Sequence, residues 1–237
     1  MISTPFKKSD LADYRLSIAP MMDCTDRHFR VLMRQITKRS LLYTEMIVAQ
    51  ALHYSKSRNK LLNYDAIEHP ISLQLGGDNP KILAEAAKMA EDWGYDEINL
   101  NIGCPSSKVK SGNFGACLMA KPKLVADCID SMKKSCDLPI TVKHRLGIDN
   151  FDSDDNLLAF IDSCSIAGAD RFIIHARKAW LNGLNPKENR TIPPLQYERV
   201  QKLKDKRPEL IIELNGGINS INECIKLLET YDGAMIG

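Results

Sequence analysis

Cys104 stands in Asn101-Ile102-Gly103-Cys104-Pro105, where Gly103 permits a sharp turn and Pro105 stiffens the exit. A thiol held on such a turn can act as a nucleophile or as a proton donor, and can equally be a small buried hydrophobe. Lys143 ends an apolar run, Ile140-Thr141-Val142. A cation there needs a compensating anion or strong acceptors, and can serve as a Schiff-base lysine or as a stabiliser of developing negative charge. Gln74 both donates and accepts, which suits the edge of a heteroaromatic ring. His175 can donate to a ligand or sit as a satisfied core histidine. Asn215-Gly216-Gly217-Ile218 exposes backbone N–H groups between a strand and a helix, which suits a phosphate as well as a plain turn. Met235-Ile236-Gly237 would supply the other half of that site. The segment from His175 to Arg190 carries Arg177, Lys178, Lys187 and Arg190 with Trp180 among them. Cations with an interleaved aromatic suit an RNA backbone and its bases, or a solvated loop.

Short apolar runs precede these residues. Eight strands are expected, at 16–20, 41–45, 70–74, 97–101, 139–143, 171–175, 210–215 and 233–236. Between them lie helical stripes spaced i, i+3, i+4, i+7: Phe29, Leu32, Met33 and Ile36; Val125, Cys128, Ile129 and Met132; Ile221, Cys224, Ile225 and Leu228. Each stripe predicts one buried helix face. Asn79-Pro80 offers a cap followed by proline at the first helical position, and Ser220 with Glu223 has capping-box spacing. Gly94 and Gly168 mark helix ends. Strand and helix in alternation imply parallel strands, and eight of them favour a closed TIM (β/α)8 barrel over an open sheet. The polar residues above then fall at the C-terminal strand ends, the face where such barrels do chemistry. Lys108, Lys110, Gly112 and Gly115 read as a mobile, positively charged lid.

The chain has 237 residues, 44% of them hydrophobic, which suffices for one barrel with a large core. The formal net charge of +2 makes no general case for nucleic acid, so any such case must be local. Seven cysteines without CxxC spacing imply no zinc site or redox pair, and a reducing compartment. A polar N-terminus and the lack of a long apolar run point to a soluble cytoplasmic protein. The chain stops at Gly237, directly after the eighth strand and before the helix that would cover it, so a barrel cut short is expected.

The chain resembles the tRNA-dihydrouridine synthases over nearly its whole length. The motifs are Ala19-Pro20-Met21-Met22-Asp23, Gln74-Leu75-Gly76-Gly77, Asn99-Leu100-Asn101-Ile102-Gly103-Cys104-Pro105, Lys143-His144-Arg145 and Asn215-Gly216-Gly217-Ile218. The run from His175 through Leu184, then Asn185 to Arg190 and Pro193-Pro194-Leu195, resembles the A-type subfamily, which modifies uridines 20 and 20a of the tRNA D-loop. The resemblance implies FMN bound at the strand ends and NADPH as reductant, hydride passing to C6 of uracil and Cys104 protonating C5. It implies Pro20, Met21 and Met22 packed on the flavin, Gln74 at its edge and Lys143 beside its N1 and O2. His175, Asn215, Gly216, Gly217 and Gly237 would lie along its tail and phosphate. It implies Asn101 at the target uracil and Arg145, Arg177 and Lys178 on RNA, with no metal. The target base would leave the RNA stack to reach the ring. Residues 1–237 would be the FMN-binding catalytic domain of a monomer. Family members continue with an arginine, an eighth helix and a helical tRNA-binding domain, so this chain alone is expected to be weakly active or inactive. Two other readings remain open: a flavin barrel acting on a free small molecule, like a dihydroorotate dehydrogenase, and a non-redox barrel that binds RNA or a phosphate ligand.

Overall fold

A computed structural model describes residues 14–237; residues 1–13 of the expected domain lie outside the described residues. The strands are β1 (Leu16–Ile18), β2 (Leu42–Tyr43), β3 (Ile47–Val48), β4 (Ile71–Gly76), β5 (Glu97–Ile102), β6 (Ile140–Arg145), β7 (Arg171–His175), β8 (Ile212–Asn215) and β9 (Gly233–Ile236). The helices are α1 (Arg27–Ile36), α2 (Ala49–Tyr54), α3 (Asn59–Leu62), α4 (Pro80–Asp92), α5 (Ser107–Ser111), α6 (Pro122–Ser135), α7 (Asp154–Ile166), α8 (Tyr197–Lys206) and α9 (Ile221–Leu227). All ladders are parallel, in the order β1-β9-β8-β7-β6-β5-β4-β2, with β3 also on β4. A parallel bridge between Ser17 and Leu41 joins the two ends, with Ile18 N donating to Leu41 O and Leu41 N to Leu16 O. The architecture is the expected (β/α)8 barrel, closed between β1 and β2. The expected second strand at 41–45 is split, because β2 and β3 meet β4 at opposite ends and the chain between them leaves the ladder.

The strands present two unlike faces, as period-two alternation requires. Ile71, Leu73, Leu75, Ile98, Leu100, Ile102, Ile140, Val142, Phe172, Ile174, Ile212 and Leu214 join one core cluster with the helices. The opposite face carries Ser72, Gln74, Glu97, Asn99, Thr141, Arg171 and Glu213, all buried. Its apolar share is small: Ala19, Leu41, Tyr43, Ile173 and Met235 form a separate cluster. The barrel is therefore oily outside its wall and hydrogen-bonded within it. Gly233 makes room for this interior, since a Cβ there would lie 3.0 Å from Glu213 Cγ.

Helix ends follow the chain's local chemistry. Asn79 caps α4 by accepting from Ile82 N, with proline in its first turn. Gly94 and Gly168 turn out of their helices at φ +83 and +100, a region that costs glycine little. Ser220 caps α9 by accepting from Glu223 N, while Glu223 Oε2 accepts from Asn219 N and not from the cap residue.

The stripe of α6 is buried as expected. The stripe of α1 is not: Leu32 is 60% and Ile36 72% exposed, and Phe29 and Met33 are half-buried. Arg30 and Arg34 are the residues buried instead. Arg34 donates to the carbonyls of Thr37, Ser40, Glu68 and Pro70, and Arg30 pairs with Glu68. α1 is docked by guanidinium-to-carbonyl bonds, which turns its apolar stripe outward. In α9 likewise only Cys224 is buried, and Ile221 and Ile225 are each 57% exposed.

Arg34→Met leaves those four carbonyls without their donor, and lysine cannot replace the planar fork. The expected loss is about 3 kcal/mol in urea unfolding, with little rescue by Arg34→Lys. Unfolding midpoints of Arg34→Met within error of the native chain would refute this account of how α1 is held.

Candidate active site

The C-terminal ends of β4 to β8 bring the chemistry-bearing residues to one mouth. At β5, Asn101 Oδ1 accepts from Gly103 N at 3.1 Å and from Cys104 N at 3.0 Å, which forms the turn that carries the thiol. Asn101 Nδ2 donates to Gln74 Oε1 at 3.0 Å, and Gln74 Nε2 to Asn99 Oδ1 at 2.8 Å. Gln74 is thus buried and held from both ends of its amide. Cys104 is half-buried, in line with presentation on a loop over the mouth. Gly115 lies against it, because a Cβ there would meet Cys104 O at 2.7 Å.

Lys143 Nζ donates to Asn215 Oδ1 at 2.9 Å, and Asn215 Nδ2 in turn donates to Met235 O. An ammonium has three donors, so this bond leaves two for a ligand. Burial, with Arg145 nearby, pulls the Lys143 ammonium down to about 8, against the partial offset of Glu213 and Cys104. An anion at the mouth would offset both effects. His175 is buried, its Nδ1 has no partner among the described residues, and burial plus Arg145 and Lys143 hold it well below the usual histidine range. It is a neutral imidazole there. Gly216 and Gly217 have φ of +106 and +71. A Cβ on Gly216 would lie 3.1 Å from His175 Nε2, and one on Gly217 2.4 Å from Leu195. The two glycines therefore let His175 and Leu195 pack directly against the turn, which a side chain at either position would obstruct. Gly237 closes against Ala19, its notional Cβ 2.4 Å from Ala19 Cβ. Pro20 and Met21 are half-buried at the β1 end and Met22 is 54% exposed.

The basic loop is a built structure. Asn189 is fully buried and holds it: its Nδ2 donates to the carbonyls of Trp180, Leu184 and Asn185, and its Oδ1 accepts from Trp180 N. The three cations proposed for RNA differ in place. Arg145 is 5% exposed, with Nε on Gly103 O and Nη1 on the carbonyls of Lys178 and Asn189. It ties the thiol turn to the basic loop. Arg177 donates to Pro193 O, and Lys178 lies 4.1 Å from the Trp180 ring centroid and 3.3 Å from Asp152. Lys187 and Arg190 are exposed. The expected lid is the short helix α5 followed by a 3-10 turn, Gly115–Ala120, and Lys110 bonds Asn182 across to the basic loop. Between the two loops is an open cleft of about 560 Å³ lined by Pro105, Ser107, Lys110, Leu181, Asn185 and Pro186. That size suits a nucleotide-sized group. Among the described residues no three His, Cys, Asp or Glu side chains gather to hold a metal, and no helix is long and apolar enough to cross a membrane.

Residues 17–237 match the family model described as dihydrouridine synthase. The chain belongs to the dihydrouridine synthase family. Curated proteins of the family similar to it are tRNA-dihydrouridine(20/20a) synthases by name. One from Synechocystis is 58% identical over 94% of this chain and 66% of its own length. One from Shewanella oneidensis is 52% identical over 100% of this chain and 70% of its own, and one from Vibrio parahaemolyticus is 54% identical over 94% and 68%. The chain thus spans about two thirds of the length of these relatives. Among solved structures, a 2-naphthoyl-CoA reductase complex superposes with a TM-score of 0.69 at 12% identity, over 93% of this chain and 47% of that one. A truncated 3-deoxy-D-arabino-heptulosonate 7-phosphate synthase from Thermotoga maritima gives 0.53 at 14% identity, over 94% and 75%. At these identities the likeness is one of fold.

Asn99 and Asn189 enter the sequence motifs only as members of longer runs, with no role of their own. Asn99 carried a signal, since Glu97, Asn99 and Asn101 alternate with apolar residues along β5. Asn189 carried none, being one polar residue in a polar loop.

The Lys143 shift has a definite sign. The unfolded chain keeps that proton up to about 10.5, while the folded chain releases it near 8. Between those values the unfolded state binds more protons, so rising pH favours folding. The stability of the native chain relative to Lys143→Met should therefore climb from about pH 8 to 10 and be flat below 8. A pH-independent difference in paired denaturant titrations would contradict it.

Proposed function

We propose that this chain is the catalytic barrel of a flavin-dependent oxidoreductase that reduces uridine to 5,6-dihydrouridine at positions 20/20a of the tRNA D-loop, with NADPH as reductant. The observation that carries this reading is the convergence of Cys104, Gln74, Asn101, Lys143, His175 and the 215–217 turn at one barrel mouth in a chain of this family.

The residues present fit FMN. Lys143 has donors to spare for an electron-rich ring edge, and Gln74 keeps one N–H beyond its bond to Asn99. The neutral His175, with its orphaned Nδ1, and the left-handed backbone at Gly216 and Gly217 suit the tail and phosphate, with Asn215 and Gly237 beside them. Pro20, Met21 and Met22 offer an apolar surface for the ring system. When bound and reduced, FMN would supply hydride to C6 of the uracil.

The chain's own groups do the rest. Hydride at C6 leaves enolate-like charge that is quenched by a proton at C5, and in this reading Cys104 Sγ donates that proton. Lys143 stabilises negative charge on the ring it faces. Asn101 keeps one N–H for the uracil after ordering the thiol turn. The cleft beside Pro105 admits the extruded nucleotide, and Lys110 and the basic loop flank it. Arg177, Lys178, Lys187 and Arg190 supply positive charge for the RNA backbone, and Arg145 acts from behind by holding both loops.

The test is anaerobic: load the protein with FMN, reduce it with NADPH, then add unmodified tRNA or free uridine and follow flavin reoxidation. Reoxidation by tRNA and not by uridine is expected. Reoxidation by free uridine or orotate without tRNA would favour a small-molecule reductase, and failure to take up FMN would favour a non-redox barrel. Cys104→Ala should bind FMN and accept electrons from NADPH as before, while its reoxidation by tRNA slows by about 10²-fold or more.

A further inference from the structure

Among the hydrogen bonds inside the barrel, one chain runs from foot to mouth with its direction set at both ends. At the foot, Arg171 Nη2 pairs with Glu97 Oε2 in full burial. Thr141 Oγ1 donates to Glu97 Oε1 at 2.9 Å, in preference to Ile98 O at 3.4 Å. Asn99 Nδ2 donates to Thr141 Oγ1 at 2.9 Å, Gln74 Nε2 to Asn99 Oδ1 at 2.8 Å, and Asn101 Nδ2 to Gln74 Oε1 at 3.0 Å. At the top, Asn101 Oδ1 accepts from the main-chain N–H groups of Gly103 and Cys104.

Each end is chemically fixed. A carboxylate only accepts, and main-chain N–H only donates. Three side-chain amides lie between, each able to turn its oxygen and nitrogen about. With an acceptor at the foot and donors at the top, every link is satisfied in one sense only. Reversal of any one amide would set donor against donor or oxygen against oxygen at two links, in a place without bulk water to compensate.

We propose that Glu97 and Thr141 are positioning residues for the active site: as terminal acceptor and relay, they fix which edge Gln74 turns to a ring in the mouth and hold the turn that carries Cys104. Neither touches the reacting atoms. The catalytic consequence rests on the function proposed above, whereas the ordering of the turn does not.

Thr141 is the link to cut, since Glu97 itself cannot be changed without stranding buried Arg171. Thr141→Val keeps shape and removes the hydroxyl; Thr141→Ser keeps the hydroxyl and removes the methyl. Ser72→Ala is the control, because Ser72 also donates to Glu97 Oε1 at 2.9 Å but passes nothing on. Two readouts apply to each folded variant: hydrogen exchange of the peptide spanning 101–106 in the protein without flavin, and FMN affinity. Expected for Thr141→Val is exchange in 101–106 faster by about tenfold and FMN binding weaker by a similar factor, the worth of roughly one buried hydrogen bond. Thr141→Ser should restore both, and Ser72→Ala should leave both unchanged. Equal behaviour of Thr141→Val and Ser72→Ala, or failure of serine to rescue, would overturn the proposal. Changed exchange in a protein that takes up no FMN in any form would instead sink the flavin reading and leave the ordering of the turn standing.

Discussion

The Glu97 carboxylate, buried against Arg171 in the barrel interior, is the constraint on which the arrangement around it depends. Burial alone would lower the Arg171 guanidinium, but Glu97, Tyr43 and Glu213 outweigh it and hold it above its ordinary range. Glu213 is pushed up by its own burial, against Arg171 and the Ser17 hydroxyl. Such a pair is not a cheap source of stability, since well-packed apolar residues can do as well. What it does provide is direction, because charges of known sign leave hydrogen-bond partners no choice of orientation.

This interior explains why a parallel barrel can be polar within and still fold as one body. Parallel strands are ordinarily apolar on both faces. Here the helix-side face meets that rule through Leu73, Leu100, Val142 and Ile174, and the other face breaks it. Asn99, Thr141 and Gln74 are satisfied by one another, so the cost of desolvating them is met by bonds within the wall. Their upper members reach the mouth, where Asn101 and Lys143 still hold donors in reserve. Support and site are parts of one continuous set of side chains.

Much of this was legible in the residues. The strand runs other than the second, the caps at Asn79 and Ser220 and the left-handed Gly94 and Gly168 appear where spacing put them. So does the gathering of Gln74, Lys143, His175 and Gly216 at one end, because strand direction alone decides it. The stripe on α1 misled, since periodicity reports apolar residues and not the guanidinium of Arg34, two of whose four carbonyl partners, Glu68 and Pro70, lie far away in sequence. The bonds of Arg145 were equally hidden: only the fold reveals that the carbonyls of Gly103 and Asn189 accept from it. Polar side chains whose partners lie on other strands are invisible to any local pattern.

The joins around the wall are unequal. β5 and β6 share a ladder of five residue pairs and β1 and β9 one of three, while β1 meets β2 through the single bridge of Ser17 with Leu41. Mechanically the molecule is a split ring clasped at one point, and any load that tends to open it concentrates there. Ser17 and Tyr43, which bond Glu213 and Glu97, lie next to that clasp. Compliance is thus greatest beside the foot of the interior, and the stiff arc from β4 to β8 is the part that carries the mouth.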